Sequence, residues 1–96
     1  MDKKGYWIAM VDVSDPEAYK AYVAANAVAF EKYGARFVIR AGRNEQPEEP
    51  AGNRHVVIEF DSYDQALACY RSPEYAAAIE FRKDAAKARI VIVEGV

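Results

Sequence analysis

Short runs of apolar side chains that alternate with polar ones predict four β-strands in this chain. The runs are rich in aromatic and β-branched residues, which favour the half-buried surface of a sheet. They lie at residues 6–13, 36–43, 54–60 and 89–94. Between the second and third runs stands the segment NEQPEEPAGN, residues 44–53, whose prolines and polar side chains are typical of a solvent-exposed loop. The second and third strands are therefore predicted to pair antiparallel.

Apolar positions at three- and four-residue spacing predict a long helix after the first strand. Ser14 and Asp15 supply a cap, and Pro16 stands at the first helical position. The periodic pattern lasts to about Tyr33, and Gly34 stands where a left-handed C-terminal cap is expected. The first helix is therefore predicted to end at about Tyr33.

A second helical region follows the third strand. Asp61 or Ser62 can cap a short helix through Tyr70, and Ser72 with the proline after it restarts a helix that runs to about Lys87. The residue before a proline disfavours helical backbone, so a kink is predicted near Ser72.

The elements therefore occur in the order strand, helix, strand, and this order is repeated once. It predicts a ferredoxin-like βαββαβ sandwich of the α+β class, in which a four-stranded antiparallel sheet carries helices on one face. A chain of 96 residues has the size of one such domain, so a single domain is expected over residues 1–96.

Side-chain alternation divides the predicted sheet into two faces. The face towards the helices takes apolar side chains: Trp7, Ala9, Val11, Val13, Phe37, Ile39, Ala41, Val56, Ile58 and Phe60. The opposite face takes a mixture: Tyr6, Ile8, Met10, Arg36, Val38, Arg40, His55, Val57 and Glu59. Because an exposed apolar patch usually marks an interaction site, we expect a second copy of the chain to cover this face in a two-fold homodimer. The space between the two sheets is then the predicted pocket for a small molecule.

Charge and composition narrow the classes of partner. With 13 basic and 15 acidic side chains the net charge is −2, which gives no electrostatic basis for binding nucleic acid or an anionic membrane. The single cysteine, Cys69, cannot form an internal disulfide, and no uninterrupted apolar segment follows the first residues, MDKKGYW. We therefore expect a cytoplasmic protein whose partners are itself and a small molecule.

Asn26 is the most unusual polar residue of the first helix. It falls in the apolar stripe, four residues after Tyr22 and four before Phe30. A buried amide left without hydrogen bonds costs about 1–3 kcal/mol, so it needs partners. Two interpretations stay open: the amide bonds to a strand end or a tyrosine hydroxyl, or it orients a ligand.

His55, the only histidine, lies on the uncovered face near Glu59 and Arg40. Histidine in general has an intrinsic pKa of about 6.5, which suits proton transfer near neutrality. His55 is therefore the candidate catalytic residue, with Arg40 holding negative charge on the substrate. The alternative is an ion-pair network that fastens two subunits.

Arg71, Tyr75 and Arg82 form a second candidate set for substrate binding. Tyr75 and Arg82 are seven residues apart and share a helical face, and guanidinium groups bind carboxylates in a forked geometry. The alternative is a solvated helix flank in which Glu74 or Glu80 pairs with the arginines.

No cofactor and no metal site is predicted. One histidine and one cysteine in different elements do not make a zinc site. Cys69 is expected to act as a small buried hydrophobe rather than as a nucleophile, and Trp7 is expected in the core.

Four phrases stand in order along the chain: GYWIAMVDVSDPEAYKAYVAAN, EKYGARFVIRAGR, VVIEFDSYDQALACYRSPEYAAA and a terminal IVEG. Together they resemble the domain-of-unknown-function family thirteen-thirty, a group within the dimeric α/β-barrel superfamily. The resemblance implies a ferredoxin-like subunit, face-to-face dimerisation and a cavity beside the sheet, but no activity. Relatives in the superfamily range over cofactor-free oxygenases, haem-degrading enzymes, lactone isomerases and stress-response proteins. The haem enzymes use Asn, Trp and His, but Asn26, Trp7 and His55 do not follow their motif order, so no haem role is implied.

The sequence thus predicts a homodimeric small-molecule-binding protein, or an enzyme that acts on a compact anionic or enolisable metabolite by acid/base chemistry. In this hypothesis His55 transfers a proton, Arg40 holds negative charge and Asn26 orients a carbonyl group. Two alternatives stay open. One is a non-catalytic interaction or structural dimer, and the other, implied by the resemblance alone, is a cofactor-free monooxygenase.

Overall fold

The computed structural model describes residues 3–96 and consists of two strand–helix–strand units. The elements are β1 (Gly5–Val13), α1 (Pro16–Lys32), β2 (Arg36–Arg40), β3 (Arg54–Phe60), α2 (Tyr63–Tyr70), α3 (Pro73–Arg82) and β4 (Ala86–Glu94). The four strands form an antiparallel sheet in the order β2-β3-β1-β4. The predicted ferredoxin-like fold is confirmed. Residues 1 and 2, the start of the segment MDKKGYW in which no secretory signal is expected, lie outside the described residues.

The long helix α1 begins and ends where the sequence predicts. The Asp15 carboxylate accepts the backbone N–H of Ala18 at 3.1 Å, and Pro16 occupies the first helical position. Tyr33 closes the helix, and Gly34 follows with φ of +69°, a left-handed conformation that glycine adopts without steric cost.

Two serines begin the shorter helices. The Ser62 hydroxyl accepts the N–H of Gln65, and the Ser72 hydroxyl accepts the N–H of Tyr75, each at 3.1 Å. The kink predicted near Ser72 is therefore a full break between α2 and α3. Among residues 3–96, no helix combines the length and the apolar character that a membrane crossing requires.

The predicted end of the last helix is wrong. The helix α3 ends at Arg82 rather than at about Lys87, and β4 begins at Ala86 rather than at Arg89. The cause is the length of β1, whose last residue, Val13, pairs with Ala86. Pairing with this long neighbour outweighs the helix propensity of an alanine-rich segment, because propensity is a weak preference that tertiary structure overrides.

A β-bulge interrupts the pairing of β2 with β3. Phe37 lies opposite Ile58 and Ile39 lies opposite Val57, so Val38 is an extra residue with no counterpart on β3. Since successive side chains of a strand point to opposite faces, one extra residue exchanges the faces of the residues that follow it.

The bulge overturns the predicted faces of two residues. Ile39 lies on the face that the helices leave open, and Arg40, in register with Val56, lies on the helix side. The strand β2 then ends at Arg40 rather than at residue 43, and Ala41, which was expected in the strand, adopts φ of +53°. A bulge breaks the two-residue period on which the prediction depended.

Trp7 lies at the centre of the core, as predicted, and is 1% exposed. Its indole N–H donates to the Ala66 carbonyl at 2.9 Å. Its ring packs edge-on against Phe30 and Tyr75, at centroid distances of 5.3 and 4.9 Å. Cys69 is also fully buried, as expected, and this burial raises the pKa of its thiol to about 12.

The helices leave one face of the sheet uncovered, which we call the open face. Its middle is a row of apolar residues in register across all four strands, the apolar row: Ile39, Val57, Ile8 and Val91. Of these, Ile8, Ile39 and Val91 are 39%, 46% and 56% exposed. The open face therefore presents a continuous apolar band to its surroundings.

Candidate functional site

A small cavity lies between α1 and the helix-facing side of the sheet. Its volume is about 30 Å³, room for one water-sized group. Most of the lining is aromatic or aliphatic: Trp7, Ala9, Val11, Tyr19, Tyr22, Val23, Phe30, Phe37, Val56, Ile58, Ala88 and Ile90. The polar lining consists of Asn26, Arg40, Arg54 and Arg82. The pocket predicted from the sequence lay on the open face, so this cavity is on the other side of the sheet.

Three arginines from three different elements converge on the cavity. Arg40 comes from the end of β2, Arg54 from the start of β3 and Arg82 from the end of α3. Within residues 3–96 none of them forms an ion pair with a carboxylate. Their positive charges therefore face the cavity without neutralisation.

Aromatic rings hold two of these guanidinium groups. The Arg40 guanidinium lies 4.2 Å from the centroid of the Phe37 ring, and that of Arg54 lies 5.3 Å from the centroid of Tyr19. Such cation–π contacts orient a guanidinium and leave its N–H groups free to donate. The Arg54 Nε atom is buried and has no hydrogen-bond partner among the described residues.

Two tyrosines and Arg82 form a hydrogen-bonded cluster at the inner end of the cavity. The hydroxyl oxygens of Tyr22 and Tyr75 are 2.6 Å apart. Arg82 Nη1 donates to Tyr75 at 3.0 Å and to Tyr22 at 3.4 Å. Burial, followed by the neighbouring Tyr22, raises the pKa of Tyr75 above its usual range, so its hydroxyl stays protonated.

Asn26 lies on the buried stripe of α1, as predicted, and is 8% exposed. It lines the cavity one helical turn after Tyr22. The hydrogen-bond partners expected for it, a strand end or a tyrosine hydroxyl, are not engaged, since its side chain bonds to no group within residues 3–96. The amide is therefore free to bond to a group inside the cavity.

An open groove adjoins the cavity on the side of the 44–53 loop. Its volume is about 570 Å³, and its walls are Val13, Pro16, Tyr19, Lys20, Val23, Ala41, Asn53 and Arg54. Tyr19, Val23 and Arg54 belong to the walls of both spaces. The cavity and the groove thus form one larger depression.

The structure separates the predicted trio of His55, Glu59 and Arg40. His55 lies outside the cavity, in a depression beneath the 44–53 loop, where its Nε2 atom is 2.7 Å from the Ala51 carbonyl oxygen. Arg40 lies on the other side of the sheet because of the bulge. The expected adjacency of Arg40 to His55 and Glu59 is therefore wrong.

Glu59 instead belongs to a polar cluster on the open face. Its carboxylate accepts the Tyr6 hydroxyl at 2.9 Å and Arg36 Nε at 3.0 Å. The Tyr6 hydrogen bond, followed by that of Arg36, holds the pKa of the Glu59 carboxyl below its usual range. This cluster corresponds to the ion-pair alternative, although Arg36 takes the place expected for Arg40.

The structure also separates the second predicted set of substrate-binding residues, Arg71, Tyr75 and Arg82. Arg82 lines the cavity, while Tyr75 is fully buried behind Tyr22 and contacts it through the hydroxyl group. Arg71 caps the end of α2 in an exposed position and does not line the cavity. Tyr75 thus acts on the cavity through Tyr22.

The sequence pattern does not predict three of the cavity residues as site residues: Tyr19, Tyr22 and Arg54. The spacing of the two tyrosines places them in the apolar stripe of α1, although a buried tyrosine hydroxyl needs a partner that this stripe does not supply. Arg54 alternates in phase with Val56, so it stands on the helix-facing side of β3. A charged residue on an otherwise apolar face was the signal that could have identified it.

The sequence of residues 4–96 matches the model of a protein family described as a domain of unknown function, DUF1330. No protein of curated function matches the chain. The family match covers nearly the whole chain and comes without an assigned activity.

Several solved structures share the fold. A protein of unknown function from Rhodopseudomonas palustris is 20% identical, with a TM-score of 0.74 over 100% of this chain and 85% of that one. SnoaB, a cofactor-independent oxygenase from Streptomyces nogalater, is 15% identical, with a TM-score of 0.64 over 97% and 92% of the two chains. A dimeric protein of unknown function with a ferredoxin-like fold, from Bacteroides fragilis, is 19% identical, with a TM-score of 0.63 over 95% of each chain. At these identities the likeness is one of fold.

Proposed function

The chain belongs to the DUF1330 family, which is defined without an activity, and we propose that each subunit binds a compact organic anion in the cavity and its adjoining groove. The observation that carries this proposal is the convergence of Arg40, Arg54 and Arg82 on an apolar space, without a carboxylate from residues 3–96 to neutralise them. A bound anion would accept charge-assisted hydrogen bonds from these guanidinium groups, which no carboxylate of the described residues accepts.

The shapes of the two spaces indicate the form of the ligand. The inner cavity, at about 30 Å³, accepts one small group such as the oxygen-bearing end of a carboxylate. The groove, at about 570 Å³, has room for an apolar body beside Val13, Tyr19 and Val23. A planar carboxylate with an aromatic or short aliphatic body fits both parts.

We do not assign proton transfer to His55. The side chain lies outside the cavity and bonds to the Ala51 carbonyl oxygen instead of facing Arg40. The polar groups that would contact the ligand are the three arginines and the Asn26 amide.

Replacement of Arg54 by glutamine tests the anion site. Benzoate is expected to bind the wild-type protein while benzamide, its uncharged analogue of similar shape, does not. Arg54→Gln is expected to weaken benzoate binding about 10- to 100-fold, the effect of losing one hydrogen bond to a charged group. Isothermal titration calorimetry gives the dissociation constants.

Arg71→Gln is the matched control, because it removes the same charge from an exposed position outside the cavity. Equal binding of benzoate and benzamide, or equal losses in the two variants, would contradict the anion site. That result would favour the alternative of a non-catalytic dimer module. Native mass spectrometry of the protein taken directly from cells would show whether it carries an anion of this class.

We also propose that the protein is a homodimer formed through the open face. Support comes from the exposed apolar row and from neighbours described as dimeric ferredoxin-like proteins, from Bacteroides fragilis and Thermobifida fusca. Two copies related by a two-fold axis would place apolar row against apolar row.

A second candidate function is cofactor-free oxygenation, favoured by the likeness in fold to SnoaB. If the protein has this activity, oxygen uptake measured with an electrode should rise above the buffer rate when an electron-rich polyphenol is added to the purified protein. The Arg54→Gln variant should then lose most of that increase. Uptake that is unchanged by the protein would remove this candidate and leave the anion site standing.

A further inference from the structure

The two tyrosine hydroxyls at the inner end of the cavity carry one proton more than their mutual hydrogen bond uses. Tyr22 and Tyr75 each have one hydroxyl proton, and only one of the two protons can lie in the 2.6 Å contact between their oxygens. Arg82 donates to both oxygens, and a guanidinium accepts no hydrogen bond, so it cannot take the second proton. The second proton needs an acceptor elsewhere.

Burial decides which of the two tyrosines donates its hydroxyl proton to an acceptor outside the pair. Tyr75 is 0% exposed, and its hydroxyl has no acceptor within residues 3–96 other than Tyr22. Tyr22, in contrast, lines the cavity. The arrangement that leaves no buried donor unpaired therefore has Tyr75 donating to Tyr22 and Tyr22 donating into the cavity.

We propose that Tyr22 donates its hydroxyl proton in a hydrogen bond to an oxygen atom of the bound anion, and that Tyr75 is the positioning residue that fixes this direction. The neighbouring Asn26 amide, which has no partner within the described residues, offers a second donor to the same small space. Arg82, which also lines the cavity, polarises the tyrosine oxygens by donating to both. The inference rests on the anion site proposed above and adds the identity of its inner end.

The chemistry of this inner end specifies the class of ligand. A hydroxyl and an amide N–H₂ are neutral donors that point at a space sized for one oxygen-bearing group. Such donors stabilise negative charge on a carboxylate or enolate oxygen, as preorganised donors do in oxyanion holes. The ligand is therefore a carboxylate or an enolisable carbonyl compound that enters the cavity oxygen first.

A pair of isosteric variants tests the assignment with benzoate as the probe. Tyr22→Phe removes the donor to the ligand and is expected to weaken benzoate binding at least ~10-fold, the loss typical of a hydrogen bond to a charged group. Tyr75→Phe removes no direct contact with the ligand, only the hydrogen bond that fixes the direction of the Tyr22 hydroxyl, so it is expected to weaken benzoate binding by a smaller factor, about threefold. Circular dichroism confirms that each variant is folded.

Equal losses in the two variants would overturn the role of Tyr22 and leave the anion site intact. Failure of the wild-type protein to bind benzoate would instead overturn the anion site together with the role of Tyr22 in it. The two failures are therefore distinguishable by the behaviour of the wild type.

A measurement without ligand tests the direction of the tyrosine hydrogen bond. Tyrosine labelled with ¹³C at Cζ gives two signals in an equal mixture of H₂O and D₂O when its hydroxyl proton exchanges slowly, and one signal when exchange is fast. We expect two signals for Tyr75, whose proton is enclosed, and one for Tyr22, whose proton faces the cavity; the two phenylalanine variants assign them. Any other pattern overturns the direction of this hydrogen bond.

Discussion

Ile8→Glu is expected to convert the proposed dimer to a monomer at micromolar concentration. Ile8 occupies the centre of the apolar row, between Val57 on β3 and Val91 on β4. In a two-fold dimer each subunit would bury one new carboxylate without a partner. Burying an unpaired charge costs several kcal/mol, so the dimer dissociation constant should rise at least ~100-fold, which corresponds to about 3 kcal/mol. Sedimentation velocity over a concentration series gives the change directly.

Val28→Glu provides the matched control for this experiment. Val28 is an exposed apolar residue of α1, 59% accessible, and lies on the helical layer rather than on the open face. The same change of side chain there should leave the dimer intact. A wild-type protein that sediments as a monomer at these concentrations, or an Ile8→Glu variant that remains dimeric, would contradict assembly through the open face.

Trp7→Ala is expected to lower the free energy of unfolding by about 3–5 kcal/mol, a large part of the roughly 5–15 kcal/mol that stabilises a typical domain. The indole is 1% exposed and packs against Phe30 and Tyr75, so its removal leaves a cavity that rigid neighbours cannot fill. The Ala66 carbonyl also loses the donor that it now has. Urea unfolding followed by circular dichroism measures the difference.

Phe81→Ala serves as the comparison for the Trp7 variant. Phe81 is an aromatic residue of α3 that is 53% exposed, so its truncation should change the free energy of unfolding by less than about 0.5 kcal/mol. If the two variants unfold at similar urea concentrations, Trp7 is not the centre of the core. Because Trp7 also lines the cavity, its loss should disturb the anion site as well.

The sequence predicts the fold well because local signals agree with the final structure. The caps at Asp15 and Ser62, the left-handed Gly34 and the alternation along β3 each determine an element boundary or face without help from distant residues. Where the prediction failed, a distant partner decided the outcome. The β4 strand begins early at Ala86 because β1 extends far enough to pair with it.

The candidate site is less accessible to sequence reasoning, and the reason is geometric. Arg40 was assigned to the open face because strict alternation has no way to anticipate the extra residue at Val38. The contact between Tyr22 and Tyr75 joins residues 53 positions apart, so no local pattern reveals it. Local signals do mark Asn26, as an amide in the apolar stripe of α1, and Arg54, as a charge in phase with the apolar positions of β3.

The bulge at Val38 connects two properties that would otherwise be independent. By advancing the chain one step, it places Ile39 in the apolar row and Arg40 at the cavity. If Val38 instead alternated regularly within the strand, Arg40 would point into the proposed subunit contact and Ile39 towards the proposed anion site. Self-association and ligand recognition would then be lost as a unit, so evolution must preserve this irregularity of the backbone to keep either of them.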